Sequence, residues 1–341
     1  MARSSWIKQH LSLIGALLVL VGFIGIFSVA INSGSGGGIR GDYRDENAVT
    51  YTNDDYTGTA PGNPAADDGE LHDARSYDVE YAIREEYWSN SGVKHLKAYG
   101  RDVELAFTIN YPRLEGDLEH LDQINDLLRT TAFETMRTYY EDPGTKEIQE
   151  FARGIDALER GDDAAFASGA DGYLSSRVTY AVTYNSDDLL SVCYSDECSI
   201  GTWQNDFIRL RTVNVNLKTG EVYLLDDVLT VDESIANSFV GNLLKTTGRD
   251  YDENGVIDDD ECTTVSVIGR KQLIEGILGK GPLAEEGAIS TCLFIDGKGK
   301  PNLGVTYTSG DERWVRGWWD VTITDEQVAA AKKDSTLWDL L

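Results

Sequence analysis

The sequence predicts an α+β fold with a largely antiparallel sheet and packed helices, preceded by one transmembrane helix. Three observations support this prediction. Alternating apolar and polar residues, typical of half-buried strands, recur along the 341-residue chain; helical three-and-four spacing appears between groups of such runs; and one long apolar segment lies near the N-terminus. Strands that occur in groups, rather than in strict alternation with helices, favour α+β over a parallel α/β sheet.

The apolar segment is residues 11–31, where two serines interrupt a run of apolar residues and glycines. A helix of about 20 such residues rises about 30 Å, the thickness of the hydrocarbon core of a bilayer. Arg3 and Lys8 precede the segment, and the next charge is Arg40. The positive-inside rule therefore predicts a short cytoplasmic tail, residues 1–10, a single-pass membrane anchor, and an extracellular location for the rest of the chain.

A cleaved signal peptide is the alternative interpretation of this segment, with residues 28–30 as the small-residue cleavage site. The apolar run is long for a signal peptide, which favours an uncleaved anchor, and both interpretations export the remaining chain. Residues 32–75 are rich in Gly, Ser, Asn, Asp and Thr and contain almost no apolar cluster. They predict a flexible stalk.

Folded sequence begins near Tyr77, and we predict two α+β subdomains, 76–172 and 173–341. The first contains two alternating runs and then an amphipathic helix with apolar residues at three-and-four spacing. Its predicted elements are strands 79–88 and 103–111 and helices 117–140 and 147–158.

The second subdomain begins with a block of β-rich runs and ends with a helix. Asp232 is a predicted N-cap, and Thr324 with Gln327 forms a capping-box pattern. The predicted strands are 175–184, 189–194, 207–217, 221–225, 289–296, 302–307 and 315–323. The predicted helices are 233–245, 271–278 and 325–333.

Cysteine usage agrees with export. The four cysteines are Cys193, Cys198, Cys262 and Cys292. None belongs to a CxxC pair and no histidine lies near them in sequence, which argues against zinc. Three disulfide pairings are possible, and we predict the nearest-neighbour one, Cys193–Cys198 and Cys262–Cys292. The second bridge would close a loop of about thirty residues and stabilise the fold by roughly 3.5 kcal/mol.

The acidic composition limits the range of partners. The formal charge is −28, and because Arg3 and Lys8 are the only charges in residues 1–31, the rest of the chain carries −30. Such a surface repels phosphate backbones, so we expect no nucleic-acid partner. It would attract cations and basic proteins, although solubility in salty or acidic surroundings would also explain the charge.

Residues 250–261 match every position of an EF-hand-type calcium loop. Gly255 occupies the sharp turn at position 6. The predicted metal ligands are Asp250, Asp252, Asn254, Asp258 and Glu261 through side-chain oxygens and Val256 through its carbonyl. Because the loop is single, we predict a structural Ca²⁺ site rather than a switch, with Kd on the order of 10⁻⁴ to 10⁻³ M. An acidic surface loop without an ion is the alternative.

Several short motifs resemble one family. They are FTINYPRLEG at 107–116, VTYAVTYN at 178–185, VNVNLKTG at 213–220, LLDD at 224–227 and WWDVTIT at 318–324. Together they resemble the exported half of RsiV-type anti-sigma factors, whose paired domains are numbered 4163 and 3298 among the families of unknown function. The resemblance implies a binding or sensing module, which in RsiV is a receptor for lysozyme, a basic protein.

The chain departs from that family in two places. Only residues 1–10 precede the apolar segment, too few for a sigma-factor-binding part, so anti-sigma activity is not expected. A Gly-Gly-Ala-His stretch common in the family is replaced by residues 201–204. The calcium loop is not implied by the resemblance and is predicted to be an insertion.

No pattern predicts catalysis, so we predict that the protein is not an enzyme. The histidines have no metal-ligand spacing and accompany no nucleophile motif; they are His10, His72, His95 and His120. The predicted function is therefore a membrane-anchored extracellular binding or sensor module for a basic protein such as lysozyme or for a cell-wall glycan. The alternative is a cell-wall-associated enzyme acting on peptidoglycan or glycan, because aromatic and basic residues near the C-terminus could stack on sugars. These are Arg313, Trp314, Arg316, Trp318 and Trp319.

Overall fold

A computed structural model describes residues 50–51, 81–159, 169–203, 205–246, 268–308 and 317–341. The predicted α+β class is confirmed in these residues, which form two sheets with helices packed on them. The predicted membrane segment 11–31 and most of the stalk lie outside them. No helix in the described part of the chain has the length and apolar composition needed to cross a bilayer.

The larger sheet has five long strands and a two-residue strand at one edge, in the same order as in the chain. The strands are β1 (Thr50–Tyr51), β2 (Tyr81–Leu96), β3 (Arg101–Gly116), β4 (Gly172–Asn185), β5 (Leu189–Gly201) and β6 (Asp206–Asn216). Neighbouring strands are antiparallel except β3 and β4, which are parallel. Parallel neighbours require a crossover connection, and helices supply it here.

The crossover contains α1 (Leu121–Ala132), α2 (Glu134–Met136), a π-helical turn (Arg137–Glu141) and α3 (Thr145–Glu159). The prediction of one continuous helix over 117–140 is therefore wrong. Phe133 ends α1, and its ring packs against Trp88 and Tyr111 of the sheet. The π turn contains one residue more than an α turn, which changes the direction of the following side chains and brings Tyr139 into the core.

The smaller sheet contains β7 (Ile289–Ile295), β8 (Pro301–Tyr307) and β9 (Gly317–Thr322), all antiparallel. The helices around it are α4 (Leu225–Val228), α5 (Glu233–Thr246), α6 (Arg270–Ile277), α7 (Gly281–Glu285) and α8 (Asp325–Ala331), and a 3₁₀ turn (Thr336–Asp339) follows. The predicted strand at 221–225 is wrong. Pairing there is limited to a bridge between Val215 and Val222, because the chain turns into α4 three residues later.

Both predicted helix caps are confirmed. The carboxylate of Asp232 accepts a hydrogen bond from the Ile235 N–H at 2.9 Å. Thr324 and Gln327 form the reciprocal capping box that begins α8. These caps satisfy N–H groups that the first helical turn leaves without a partner.

The two sheets contact each other through side-chain bonds to backbone. The Asn214 amide of β6 donates to the Leu293 carbonyl of β7 at 2.8 Å, and the Ile295 N–H donates to the Ser191 hydroxyl at 3.0 Å. One apolar core lies between the larger sheet and α1–α3, and a second lies between the smaller sheet, α5 and α6. A small third cluster, Cys193, Leu210 and Phe294, lies where the sheets meet.

Candidate functional site

The predicted calcium ligands at 250–261 lie outside the described residues, so the site stays a prediction. The helices that flank it are described. α5 and α6 contact each other and bury Leu243 and Leu273 in one apolar cluster. Arg270 of α6 donates to the Asn237 side chain of α5 at 3.0 Å. Two packed helices therefore precede and follow the segment that contains the loop.

The predicted Cys193–Cys198 bridge is wrong, because both residues are buried free thiols on β5. Residues five apart on a strand point to opposite faces, and their Cα atoms are about 16 Å apart. A disulfide requires Cα atoms within about 7 Å. Cys292 is also a free thiol. Cys262 lies outside the described residues, so the predicted Cys262–Cys292 bridge stays a prediction.

A buried ion pair connects α2 to the larger sheet. Asp196 of β5 is completely buried, and its carboxylate accepts a hydrogen bond from Arg211 at 2.7 Å. The hydroxyls of Thr135 and Ser176 donate to the same carboxylate at 2.6 and 2.7 Å. Arg211 also pairs with Glu134 at 3.0 Å. The network joins α2 to three adjacent strands.

These contacts keep Asp196 ionised. Burial by itself would raise the pKa of this carboxyl, but the Arg211 guanidinium and the hydrogen bonds from Thr135 and Ser176 outweigh burial and hold the pKa below its usual value. Each group in the network is satisfied by another, so the arrangement stabilises the fold.

A second polar cluster lies beside the first. The Tyr139 hydroxyl donates to Glu150 at 2.6 Å, and Arg209 donates to the Tyr139 hydroxyl at 3.1 Å. Burial, more than the neighbouring charges, raises the pKa of Tyr139. The phenol therefore stays neutral and links α3 to β6, as the first cluster links α2 to the same strand.

The described histidines are not placed for general-base catalysis. His95 contacts Asp102 at 2.8 Å at the exposed end of the β2–β3 hairpin. His120 lies against Gly220, on the loop before α1. Among the hydrogen bonds of the described residues, none joins either histidine to a serine or a cysteine. The nucleophile–base pair that acyl transfer requires is thus not found in this part of the chain.

An open cleft of about 250 Å³ lies between α1 and the end of β6. Ile124 and Leu127 of α1 and Val215 and Val222 beyond it supply apolar lining. Asp126 also lines the cleft, is exposed, and makes no side-chain hydrogen bond or ion pair with any residue that the structure describes. The cleft therefore offers an apolar surface beside one uncompensated negative charge.

The turn after β6 gives the cleft its second wall. Gly220 has φ of 70°, a left-handed conformation that residues with a Cβ rarely adopt, and an added Cβ would meet the His120 ring at 3.1 Å. The Gln123 amide of α1 donates to the Gly220 carbonyl at 3.4 Å. The turn at residues 217–219, which leads into Gly220, is thus held against α1.

The tryptophan pair of β9 does not form an open sugar-stacking surface. Trp319 packs against the core of the smaller sheet, and Trp318 packs against the third cluster while its indole N–H donates to Ser195 at 3.2 Å. Both rings are half-buried. Arg313, Trp314 and Arg316 lie outside the described residues.

Asp126 and Asp196 were not among the residues predicted from the sequence. Alternation along β5 places Asp196 on the same face as the apolar Val192 and Tyr194, which was an available sign of a buried charge. Nothing in the sequence distinguishes Asp126 from other helical carboxylates, since the cleft depends on a turn almost a hundred residues later.

Comparisons with known proteins give structural similarity alone. No protein-family model matches the chain, and no curated protein matches it. A DUF3298 family protein from Bacteroides fragilis is 14% identical over 76% of this chain and 97% of its own, with a TM-score of 0.43. A DUF3298 protein from Pseudomonas aeruginosa is 12% identical over 73% of this chain and 94% of its own, with a TM-score of 0.32. Neither description states a ligand or an activity.

Proposed function

We propose that this protein is a membrane-anchored extracellular module that binds a basic protein and has no enzymatic activity, with lysozyme as the first candidate. The observation that carries the proposal is the cleft between α1 and β6, with its apolar lining and the free carboxylate of Asp126. The N-terminal apolar segment supports the anchor, and the −30 charge beyond it supports a basic partner.

The cleft suits one lysine or arginine side chain of the partner. Such side chains pack their aliphatic stems on apolar surface while the charged head pairs with a carboxylate. Leu127 and Val222 would contact the stem, and Asp126 would pair with the head.

The surrounding surface favours the same partner. Several exposed basic side chains are already paired within the sheet, for example Arg84 with Glu115 at 2.7 Å and Arg113 with Glu86 at 3.3 Å. Excess carboxylates therefore dominate the exposed charge. This field would accelerate association with a cationic protein and weaken as salt is added.

The test is calorimetric titration of the full chain with lysozyme at low and at high ionic strength. We expect binding that weakens with salt, and we expect Asp126→Asn to raise Kd about fivefold, which corresponds to about 1 kcal/mol. Asp122→Asn is the matched control: it removes an exposed charge one turn earlier in α1, away from the cleft, and should change Kd less than about twofold.

Three outcomes would contradict the proposal. Equal effects of both substitutions would show that only diffuse charge matters and that the cleft is not the binding site. No binding at low ionic strength would exclude lysozyme as the partner. Release of soluble sugar or peptide products from peptidoglycan would instead identify the alternative, a cell-wall enzyme.

The predicted calcium loop completes the proposed module as a structural element. Its donor set contains only oxygens, as calcium prefers. The helices α5 and α6, which precede and follow the loop segment, pack against each other and would give the loop a rigid base. In this role Ca²⁺ would hold residues 250–261 in one conformation and take no part in chemistry.

A further inference from the structure

Two thiols from different sheets meet in the third apolar cluster. Cys193 of β5 belongs to the buried cluster with Leu210 and Phe294, and Cys292 of β7 packs against the same cluster. Cys193 is buried and Cys292 is partly exposed. The two residues are 99 positions apart in sequence, so no spacing rule pairs them.

Local contacts direct both thiols to the same space. Cys193 lies directly opposite Thr212 in the β5–β6 register, and Cys292 interacts with the Thr212 side chain. Cys292 also lies 2.8 Å from the position that a Cβ on Gly304 would occupy. Glycine at this position therefore leaves the room that the Cys292 sulfur fills. Burial, and after it the neighbouring Cys292, raises the pKa of Cys193.

We propose that Cys193 and Cys292 form a redox-sensitive pair that closes a disulfide between the two sheets when the protein meets a disulfide oxidant. The oxidant is a low-molecular-weight disulfide or the disulfide of a thiol oxidoreductase. Such oxidants are active in exported compartments. This bridge is an alternative to the nearest-neighbour pairings predicted from the sequence.

The reaction balances as two thiol–disulfide exchanges. The Cys292 thiolate attacks the oxidant disulfide, forms a mixed disulfide and releases one half of the oxidant as a thiol. The Cys193 thiolate then attacks the Cys292 sulfur and releases the other half as a thiol. The two protein thiols are oxidised, the oxidant disulfide is reduced to two thiols, and the protons pass to those thiols.

Burial makes this exchange slow. It raises the pKa of Cys292 to about 12, and it raises the pKa of Cys193 as well. Because the thiolate is the nucleophile, the rate of bridge formation should increase with pH. Cys292 reacts first because it is the more exposed of the two.

The test uses the full chain. The protein is first reduced, and one sample is then incubated with oxidised glutathione and the other with reduced glutathione. Thiols are alkylated in denaturant, and the digested peptides are analysed by mass spectrometry. We expect the Cys193 peptide joined to the Cys292 peptide in the oxidised sample alone, with Cys198 alkylated in both samples. A bridge that closes a loop of about 100 residues should raise Tm by about 5–10 °C.

Variants separate this bridge from other pairings. Cys193→Ala and Cys292→Ala should each lose the difference in Tm between the oxidised and reduced samples, whereas Cys198→Ala should keep it. Should a variant fail to fold, the peptide analysis of the unsubstituted chain decides alone. The proposal is overturned if Cys292 is joined to Cys262, or if Cys193 and Cys292 are both alkylated after prolonged oxidation at raised pH.

Discussion

At the residue scale, a charged side chain in the core organises the crossover. Asp196 would be strongly destabilising in this position if it were alone, because an unpaired buried charge loses its hydration. Arg211, Thr135 and Ser176 replace that hydration with three hydrogen bonds. The short helix α2 is therefore attached to the sheet at a defined point.

Replacing this carboxylate tests its contribution to stability. We expect Asp196→Asn to lower the free energy of unfolding by about 3 kcal/mol, because Arg211 is left buried with only the exposed Glu134 as a charged partner. Urea denaturation followed by circular dichroism measures the difference. The matched control is Glu197→Gln, the adjacent residue in an exposed pair with Arg177, which should change stability by less than about 1 kcal/mol. Equal losses in the two variants would contradict the account.

The same substitution has a pH signature. The folded pKa of Asp196 lies below its usual value, so its stabilising contribution is fully present above the unfolded pKa of about 3.9 and is lost as pH falls through the folded pKa. The stability difference between wild type and Asp196→Asn should thus be constant near neutral pH and shrink below about pH 4.

At the element scale, helix α3 packs on β5 with almost no side chain between the two backbones. A Cβ added to Gly154 would lie 2.3 Å from the Ile200 carbonyl oxygen, and one added to Gly201 would lie 2.4 Å from the Phe151 carbonyl oxygen. Real Cβ atoms do not approach backbone so closely. Glycine at both positions therefore permits this helix–strand distance.

We expect Gly154→Ala to lower the free energy of unfolding by about 2 kcal/mol, since the helix must move away from the strand. Gly241→Ala is the control, because it lies in helix α5 with nothing within 4 Å of the added Cβ. That variant should gain about 0.5–1 kcal/mol from the higher helix propensity of alanine. Thermal unfolding measures the expected loss of stability in Gly154→Ala and the expected gain in Gly241→Ala. An unchanged stability of Gly154→Ala would show that the contact between α3 and β5 is not tight.

Helices and strands were predictable where the spacing of apolar residues stays the same along the whole element. The apolar positions of α1, Ile124, Leu128 and Ala132, are four residues apart and are all buried, as the sequence indicates. The period changes after Phe133 because that ring fills a space on the sheet formed by Trp88 and Tyr111. Those partners come from distant strands, so local periodicity could not indicate where the helix would break.

At the scale of the whole molecule, the acidic charge gives a physical reason for the predicted calcium site. A chain with formal charge −28 repels itself, and a bound divalent cation would relieve part of that repulsion. The flanking helices α5 and α6 lie in the core of the smaller sheet, so an ion between them would stabilise the fold through contacts beyond the loop.

We expect Ca²⁺ to bind with heat in calorimetry and to raise Tm, with about 1.4 kcal/mol of added stability at a tenfold excess over Kd. Glu261→Gln removes the predicted bidentate ligand and should abolish both effects. Asp334→Asn, which removes an exposed charge near the C-terminus, should retain them. Absence of heat in wild type, or equal heats in wild type and Glu261→Gln, would remove the site from consideration.

The sequence by itself determined the α+β class, most strand and helix positions, and both helix caps, because these depend on residues within a few positions of one another. Tertiary structure alone decided the cleft beside Asp126, the partners of Asp196 and the meeting of Cys193 with Cys292. Each of these joins elements that are far apart in the chain, and only strand register brings them together. The predicted Cys193–Cys198 disulfide does not form, because the two residues are five apart on one strand and their side chains therefore point to opposite faces.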